Sequence, residues 1–338
     1  MTIKDIARLA GVTHSTVSRS LNDSPLVATA TKERIKKIAQ DTGYSPNSFA
    51  RRLVTRRSNT LGVFFLSRGE LNFMENFGTE FLDGIATASS SNGYDLLFFT
   101  MTRELSQKKS YIGLCREKHV EGVIFIGMTS DDPQLEEIAS SDIPVCIIDF
   151  QLEGVGFVST DNEKGTRLAL DYLWSKGHRK IAYIGGPTVA PVAMIRERCY
   201  QNYMVEKGLG PFLEIFRGDF TTKSGYAQTL DLLRSEKLPS AIMAANDYMA
   251  LGSVKALKEK GLRVPQDMSV VGYDNVLAGE YADPGLTTVG QDSTEIGLSA
   301  VRYLFDKIQN KKPPLTRLIN PCLVLRDSVS SVHNKDVP

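Results

Sequence analysis

The chain has 338 residues, of which 42% are hydrophobic and 23% charged, with 40 Lys and Arg against 39 Asp and Glu. This length exceeds what one ordinary hydrophobic core serves, and the composition is that of a folded protein, so we expect several domains and exclude a disordered chain. No run of about 18 apolar residues is present, which excludes an ordinary membrane-spanning helix and a membrane partner.

The first residues and the cysteines indicate the compartment. The segment MTIKDIARLA mixes acidic and basic side chains in an amphipathic pattern unlike a signal peptide, so we expect a cytoplasmic protein. The four cysteines lie far apart and lack the paired spacing of zinc and redox sites. We therefore expect buried, reduced thiols and no metal. They are Cys115, Cys146, Cys199 and Cys322.

Positive charge is concentrated at the amino terminus. Residues 1–58 contain eleven Lys and Arg against four Asp and Glu, a net charge of +7, and the other 280 residues carry a net charge of −6. A small basic module on a mildly acidic body favours binding to a polyanion such as nucleic acid. Charge alone would also fit a solvated basic face.

The basic module begins with two short helices joined by a tight turn. Residues 3–10, IKDIARLA, have apolar side chains at helical spacing, and residues 11–12, Gly-Val, end this helix. Residues 13–20 predict a second helix. The small Ala7, the turn glycine and Val17 at the helix crossing together predict a helix-turn-helix.

The second helix presents polar side chains outward. They lie at its start, where a recognition helix meets base edges in the major groove. They are His14, Ser15, Ser18 and Arg19. A third helix over about Thr31–Thr42 is expected to close the bundle.

A short basic segment, YSPNSFARRLVTRR, follows the bundle. Pro46 restricts Ser45 to extended geometry, and Asn47 can cap a helix of one to two turns. Such a helix is too short to be stable alone, and arginines flank its leucine, Leu53. We therefore expect Leu53 to act on DNA rather than in a core.

From Thr60 onward short apolar runs alternate with helical segments. The runs are LGVFFL, DLLFFT, GVIFIG, PVCIID, FVSTD, KIAYIGG, EIFRGD, AIMAAND and MSVVGYD. Near-continuous apolar strands between amphipathic helices predict parallel sheets covered on both faces. The pattern divides near Asp161 and predicts two Rossmann-like lobes. TTVGQD and the helix after it are expected to return to the first lobe, and NPCLVLRDS to cross again.

The predicted fold is a small all-α helix-turn-helix head plus an α/β effector domain of periplasmic-binding-protein-like architecture. The expected boundaries are 1–46 for the head, 47–59 for a hinge helix and linker, 60–330 for the effector domain and 331–338 for a polar tail. Lobe 1 is expected to take about 60–160 and 290–319, and lobe 2 about 161–289 and 320–330.

Polar residues stand at the carboxyl ends of several predicted strands, where ligands bind in open α/β sheets. Each alone also suits a helix cap or a turn, but their recurrence at equivalent strand ends favours a ligand site. They are Asp149, Asn246 with Asp247, Asp274, and Gln291 with Asp292. We assign Asp161 and Asn162 to capping of the next helix, and His178 to structure.

Two groups of motifs closely resemble one known family. TIKDIARLAGVTHSTVSRSLN followed by YSPNSFARRL is similar to the DNA-binding domain and hinge of the lactose-repressor (LacI/GalR) family of bacterial transcription regulators. STDNEKGTRLALDYLWSKGHRKIAYIGGP, AANDYMALG and SVVGYDN are similar to the effector domain of that family. The sequence departs from the family at Cys199, where glycine is usual, and in residues 66–81.

The resemblance implies that the hinge helix folds in the operator minor groove, where a leucine at the Leu53 position wedges between base pairs and kinks the duplex. The expected DNA contacts are Thr2, Thr13, His14, Ser15, Thr16, Ser18, Arg19, Asn22, Tyr44, Asn47, Ala50, Arg51 and Leu53.

For the effector site, the resemblance implies that Arg196 reaches the ligand and that Phe220 and Phe77 stand against it. An arginine fork opposite Asp274 suits bidentate bonding to vicinal sugar hydroxyls. The expected effector-binding residues are Phe77, Asp149, Arg196, Phe220, Asn246, Asp274 and Gln291.

No pattern predicts catalysis. The chain lacks G-x-S-x-G, a phosphate loop ending in Gly-Lys-Ser/Thr and a G-x-G-x-x-G after its first strand, and its four histidines have no metal-ligand spacing. A transporter's solute-binding protein would fit the α/β part but has no use for a basic helix-turn-helix. We expect a transcription regulator that is not an enzyme and has no cofactor.

The expected function is repression of a carbohydrate-use operon. Strand-end carboxylates with an arginine favour a sugar effector; a nucleobase effector and a phosphoprotein corepressor are the alternatives. The expected partners are pseudo-palindromic operator DNA and a second copy of the chain, because two recognition helices must meet half-sites about one turn apart. The tail has no leucine heptads that would pair dimers.

Overall fold

The computed structural model describes residues 1–21, 23–44, 57–67, 77–102 and 108–332. The chain divides into two compact units, Met1–Ser58 and Asn59–Pro338. In the parts described, no helix is long and apolar enough to cross a membrane.

The first unit is the head, whose described elements are three helices. They are α1 (Ile3–Ala10), α2 (His14–Leu21) and α3 (Thr29–Asp41). A capping box begins α1, since the Thr2 hydroxyl accepts from the Asp5 amide while the Asp5 carboxylate accepts from the Thr2 amide. Gly11 ends α1 at a φ of 62°, which glycine adopts without strain.

The head has a core of its own, made by side chains from all three helices. Its buried members are Ile6, Ala7, Ala10, Val17 and Ile35. Since Ala7 and Val17 fill the crossing of α1 and α2, the predicted helix-turn-helix is confirmed.

The first lobe of the second unit is built on a parallel sheet with six strands among the described residues. They are β1 (Thr60–Ser67), β2 (Asp95–Thr102), β3 (Gly122–Ile126), β4 (Val145–Ile148), β5 (Gly156–Thr160) and β11 (Thr316–Ile319), in the order β11-β5-β4-β3-β1-β2. Its helices are α4 (Leu82–Ser91), which follows a 3-10 turn at Phe77–Phe81, then α5 (Tyr111–Glu117), α6 (Leu135–Ala139) and α12 (Ser293–Ile308).

The second lobe repeats this plan. Its strands are β6 (Ile181–Gly185), β7 (Glu214–Arg217), β8 (Ala241–Ala244), β9 (Ser269–Asp274), β10 (Thr287–Gly290) and β12 (Cys322–Val324), in the order β12-β10-β9-β8-β6-β7, with β12 antiparallel to β10. Its helices are α7 (Asn162–Ser175), α8 (Pro191–Glu206), α9 (Thr222–Leu232), α10 (Asp247–Glu259) and α11 (Leu277–Glu280), with a 3-10 turn at Gly210–Phe212. The prediction of a two-lobed α/β domain is confirmed.

Two expectations about this domain are wrong. The strand of TTVGQD does not return to the first lobe, because β10 pairs with β9 from Thr287 opposite Val271 onward and is buried in the second lobe. The chain crosses only after β10, and α12 packs on the first lobe. The cysteines are not all buried either, since Cys322 on the short strand β12 is exposed.

Each lobe contains a pair of helices that meet at glycines. In the first lobe α4 and α12 meet at Gly84 and Gly297, where an added Cβ would lie 2.0 and 2.3 Å from a carbonyl oxygen of the facing segment. In the second lobe α9 and α10 meet at Gly225 and Gly252, where the corresponding distances are 2.2 and 2.1 Å. Only residues without a Cβ allow this approach, so both helix pairs pack backbone against backbone.

Candidate DNA-binding surface and effector cleft

The recognition helix α2 presents its polar face to solvent. His14, Ser15 and Arg19 are exposed, while Thr16 and Ser18 are half-buried. In the described part of the head, the side chains of His14 and Arg19 make no hydrogen bond or ion pair. They are therefore available to base edges and phosphates.

Three other predicted DNA contacts have structural roles in the head. Thr2 caps α1. The Thr13 hydroxyl lies 2.8 and 2.9 Å from the hydroxyls of Ser15 and Thr16. Tyr44 is half-buried against the head core. The remaining predicted contacts, Asn22, Asn47, Ala50, Arg51 and Leu53, lie outside the described residues.

In the second unit, Arg196 on α8 is almost fully buried at 3% exposure. Its Nε donates to Oδ1 of Asn162 at 2.8 Å, and its Nη1 donates to the carbonyl of Ala245 at 2.6 Å. Nη1 also lies 3.6 Å from Oδ1 of Asp274, and the guanidinium lies over the ring of Tyr273 at 3.6 Å. Two of the three guanidinium nitrogens, Nε and Nη1, thus donate hydrogen bonds to protein groups.

This arrangement limits what Arg196 offers to a ligand. Among the described residues, Nη2 has no hydrogen-bond partner, so its two N–H groups are left for a ligand. Nη1 carries a second N–H besides the one that the Ala245 carbonyl accepts. A bidentate fork that uses Nε would require release of Asn162.

Gln291 links Asp274 to the first lobe. Its Nε2 donates to Oδ1 of Asp274 at 2.7 Å, and its Oε1 accepts from the Thr160 hydroxyl at 2.5 Å. Burial raises the pKa of Asp274 well above its usual range, although the positive charge of Arg196 opposes this shift. Within the described residues, Oδ2 of Asp274 has no hydrogen-bond partner.

Asn162 is a partner of Arg196 that the sequence reasoning missed. Its assignment to helix capping is wrong, because the cap of α7 is Asp161, whose carboxylate accepts from the Lys164 amide at 3.0 Å. Asn162 is instead buried beside Arg196. Its Nδ2 donates to the Thr160 carbonyl at 2.9 Å and to the Ser159 hydroxyl at 3.2 Å. An Asp-Asn pair at a lobe crossover was the available signal.

The same chain of contacts reaches Asp149 at the end of β4. The Ser159 hydroxyl donates to Oδ1 of Asp149 at 2.6 Å. Burial raises the pKa of Asp149, and the Ser159 hydrogen bond opposes the rise. Four of the predicted effector residues therefore belong to one connected polar cluster. They are Asp149, Arg196, Asp274 and Gln291.

The other predicted effector residues are placed differently. Asn246 caps α10 by accepting from the Met249 amide at 3.0 Å, and its Nδ2 donates to the carbonyl of Phe220 at 2.9 Å. The Phe220 ring lies against Gly186, where an added Cβ would be 2.5 Å away. Phe77 begins the 3-10 turn, and its side chain lies outside the described part of the chain.

Two other buried polar side chains of the second lobe are structural. Asp247 is fully buried, accepting from the Thr288 hydroxyl at 2.6 Å and from the Val276 amide at 2.9 Å, and burial raises its pKa to about 6. His178 is also buried, with Nδ1 2.9 Å from the Ser240 hydroxyl and Nε2 3.0 Å from the Ser330 carbonyl. Burial lowers the pKa of His178.

A cavity of about 550 Å³ lies between the lobes beside this cluster. Asp149, Ser159 and Thr160 line it from the first lobe, and Val189 and Ile195 line it from the second. At its edge, the Ser130 amide donates to the Val189 carbonyl at 3.1 Å, so the two lobes touch there. Of the polar cluster, Asp149 lines the cavity, whereas Arg196, Asp274 and Gln291 do not line it and are connected to it through Asn162 and Thr160.

Comparison with known proteins identifies the family. Residues 2–47 match the model for bacterial regulatory proteins of the lacI family, and residues 170–329 match the periplasmic binding protein-like domain. The HTH-type transcriptional repressor PurR of Vibrio cholerae serotype O1 is 32% identical, over 98% of each chain. The chain belongs to the LacI family of bacterial regulatory proteins. As a LacI-family member it is a DNA-binding transcription regulator with a domain for a small-molecule effector.

Two solved LacI-family structures resemble the whole chain. The lac repressor dimer bound to operator and the anti-inducer ONPF superposes with a TM-score of 0.87 at 28% identity, covering 98% of this chain and 99% of that one. The complex of the transcriptional regulator CelR with cellobiose gives a TM-score of 0.72 at 30% identity, covering 97% and 99%. These likenesses agree with the head and two-lobed domain described above.

Proposed function

We propose that the protein is a repressor whose affinity for its operator is controlled by a sugar bound between the lobes. The observation that carries this proposal is the cavity between the lobes, which is lined by Asp149, Ser159, Thr160 and Asn162. Hydrogen bonds lead from this lining to Arg196 through Asn162, and to Asp274 through Thr160 and Gln291. A cleft with a few convergent polar groups at strand ends is where such a fold binds small molecules.

The chemistry of the cavity wall supports a sugar. The carboxylates of Asp149, Asp161 and Glu163 line it, and carboxylates accept hydrogen bonds from hydroxyl groups. A sugar carries several hydroxyl donors on a compact ring. CelR, which has a similar overall structure, was solved with cellobiose.

A nucleobase is the second candidate. The donor Nη2 of Arg196 and the acceptor Oδ2 of Asp274 remain without partners among the described residues, and their side chains are neighbours. One donor beside one acceptor matches the C=O and N–H of a lactam edge as well as it matches two hydroxyls.

A thermal-shift screen separates the two candidates. Cellobiose, other disaccharides, monosaccharides and sugar phosphates form one arm, and hypoxanthine and guanine form the other. A ligand of the native state raises the melting temperature in proportion to the logarithm of its concentration over Kd. We expect a sugar to raise it; stabilisation by a purine alone would replace the sugar with a nucleobase.

In the proposed mechanism, sugar binding changes the angle between the lobes. In a dimer this change would reorient the first lobes and separate the hinge helices, and the affinity for operator DNA would fall. The coupling is reciprocal, so operator DNA should weaken sugar binding by the same factor. Titration of each ligand in the presence and absence of the other measures that factor.

We also propose that the repressor is a dimer joined through the effector domains. Leu277 on α11, Tyr281 directly after α11 and Phe98 on β2 are large apolar residues with exposures of 66%, 77% and 48%. Such side chains are common in subunit interfaces. Sedimentation should show a dimer for the wild type and a shift toward monomer for Tyr281→Asp; a monomeric wild type would contradict the proposal.

A further inference from the structure

Five buried residues at the crossover between the lobes form a closed ring of polar contacts. Starting from Thr160, the contacts run through Asn162, Arg196, Asp274 and Gln291 and return to Thr160. Each member is at most 9% exposed. Water therefore has little access to compete for these hydrogen bonds.

One member of the ring comes from the first lobe. Thr160 is the last residue of β5, whereas Arg196, Asp274 and Gln291 lie on or beside elements of the second lobe, and Asn162 begins α7 of that lobe. Thr160 is held twice: its carbonyl accepts from Asn162 at 2.9 Å, and its hydroxyl donates to Gln291 at 2.5 Å.

The two amides are oriented by the charges between them. Asn162 turns its oxygen to the guanidinium of Arg196, and Gln291 turns its nitrogen to the carboxylate of Asp274. Reversing either amide would place donor against donor or acceptor against acceptor. The other end of the Asn162 amide is therefore a donor, which the Thr160 carbonyl accepts. The other end of the Gln291 amide is an acceptor, to which the Thr160 hydroxyl donates.

We propose that Thr160 and Asn162 are positioning residues of the effector site, and that the ring sets the angle between the lobes. The proposal rests on the assignment of the cleft as the effector site. Any ligand that draws Arg196 or Asp274 out of the ring also releases an amide from Thr160. Ligand contacts to Arg196 or Asp274 in the second lobe would therefore weaken the hydrogen bonds that hold the first lobe at Thr160, the end of β5.

The prediction concerns the angle between the lobes, so the experiment measures a distance across the cleft. Spin labels are placed at Glu136→Cys in the first lobe and Lys223→Cys in the second, both at exposed positions. The accessible native cysteines are removed as Cys199→Ser and Cys322→Ser. A second pair, Lys223→Cys with Lys237→Cys, measures a distance within the second lobe. Dilution with unlabelled protein keeps the label pair on one chain.

Thr160→Val removes the hydroxyl and keeps the shape of the side chain. We expect its cross-cleft distance distribution, measured by pulsed dipolar spectroscopy without effector, to gain a second population about tenfold larger than in the wild type, as loss of one buried hydrogen bond would produce. The distance within the second lobe should not change. Thr160→Ser, which keeps the hydroxyl, should restore the wild-type distribution.

Two further variants keep the test decisive. Gln291→Met removes the same link from the other side and should reproduce the effect of Thr160→Val. Ser130→Ala removes a long hydrogen bond of 3.4 Å from the Ser130 hydroxyl to the Val189 carbonyl, at another contact between the lobes. It should not reproduce the effect, because the shorter backbone hydrogen bond to the same carbonyl remains. A wild-type distribution in Thr160→Val, an equal effect of Ser130→Ala, or broadening within the second lobe would each overturn the proposal. Because no effector is used, failure of the sugar screen leaves this result intact.

Discussion

On the recognition helix, His14 and Arg19 are exposed and make no hydrogen bond or ion pair in the described head, whereas in the cleft Arg196 is buried and held by three protein groups. Water satisfies the polar groups of the first surface until DNA replaces it. In the cleft, burial forces polar groups to satisfy one another.

Because of this difference in burial, we expect substitutions on the two surfaces to affect binding and stability differently. A substitution on the recognition helix removes a contact to DNA and leaves the fold alone. A substitution in the cleft also leaves a buried partner without its hydrogen bond, so stability and ligand binding fall together.

Arg196→Ala should lower the free energy of unfolding by about 3–5 kcal/mol, the usual cost of breaking a buried ion pair. The variant leaves the Asp274 carboxylate without its opposite charge and Oδ1 of Asn162 without its donor. The single tryptophan, Trp174, lies in the same lobe and reports chemical denaturation by its fluorescence. The control is Arg196→Met combined with Asp274→Leu, which removes both charges and should recover much of the loss. Unchanged stability in Arg196→Ala would contradict the contrast.

The buried Asp247 should make stability depend on pH. Its pKa is raised to about 6, so folding favours the protonated form, and this contribution is present below the ordinary pKa near 4 and is lost as the pH rises through 6. At 1.36 kcal/mol per unit, the wild type should lose roughly 3 kcal/mol relative to Asp247→Asn between about pH 4 and pH 7. Denaturation followed through Trp174 at each pH measures the difference.

The head supplies the control of opposite sign. The hydrogen bond from Lys36 lowers the pKa of the exposed Asp23, so its contribution is present at neutral pH and lost as the pH falls. Asp23→Asn should therefore cost stability only at neutral pH. A pH-independent difference between wild type and Asp247→Asn would show that the buried carboxyl does not titrate as described.

Arg19→Ala should weaken binding to the preferred operator by about 1–3 kcal/mol and relax the preference at one base pair, with no change in thermal stability. Selection of binding sites from a random pool, followed by titration, measures both. Arg8→Ala removes the same charge from an exposed position on α1 and should weaken binding evenly across sequences. An unchanged base preference in Arg19→Ala would remove the recognition assignment.

Thr2→Ala should have the smallest effect, about 1 kcal/mol of helix stability, because it removes the cap of α1. Amide hydrogen exchange over residues 3–10 should become about fivefold faster. Thr2→Ser keeps the hydroxyl and should exchange like the wild type. Weaker operator binding in Thr2→Ser would instead assign the side chain to DNA contact.

The sequence predicted the head more fully than the cleft for a physical reason. Helix periodicity and caps are local, so α1, α2 and the outward position of Arg19 follow from neighbouring residues. Which sheet a strand joins depends on distant partners, so the place of β10 in the second lobe was missed.

The cleft shows the same limit at the level of side chains. Strand ends located Asp149, Asp274 and Gln291, but nothing local distinguished Asn162, which binds Arg196, from its neighbour Asp161, which caps α7. Asn246 satisfied the same strand-end rule, yet both ends of its amide serve the fold. The roles of these amides are decided by contacts between residues far apart in the chain.

The glycine contacts between α4 and α12, and between α9 and α10, have a mechanical consequence. Helices whose backbones touch cannot slide past each other without a clash, so shear within a lobe is closed off. We therefore expect each of these helix pairs to move as one rigid unit. A change of angle between the lobes would then be taken up by the backbone dihedrals of the crossover segments.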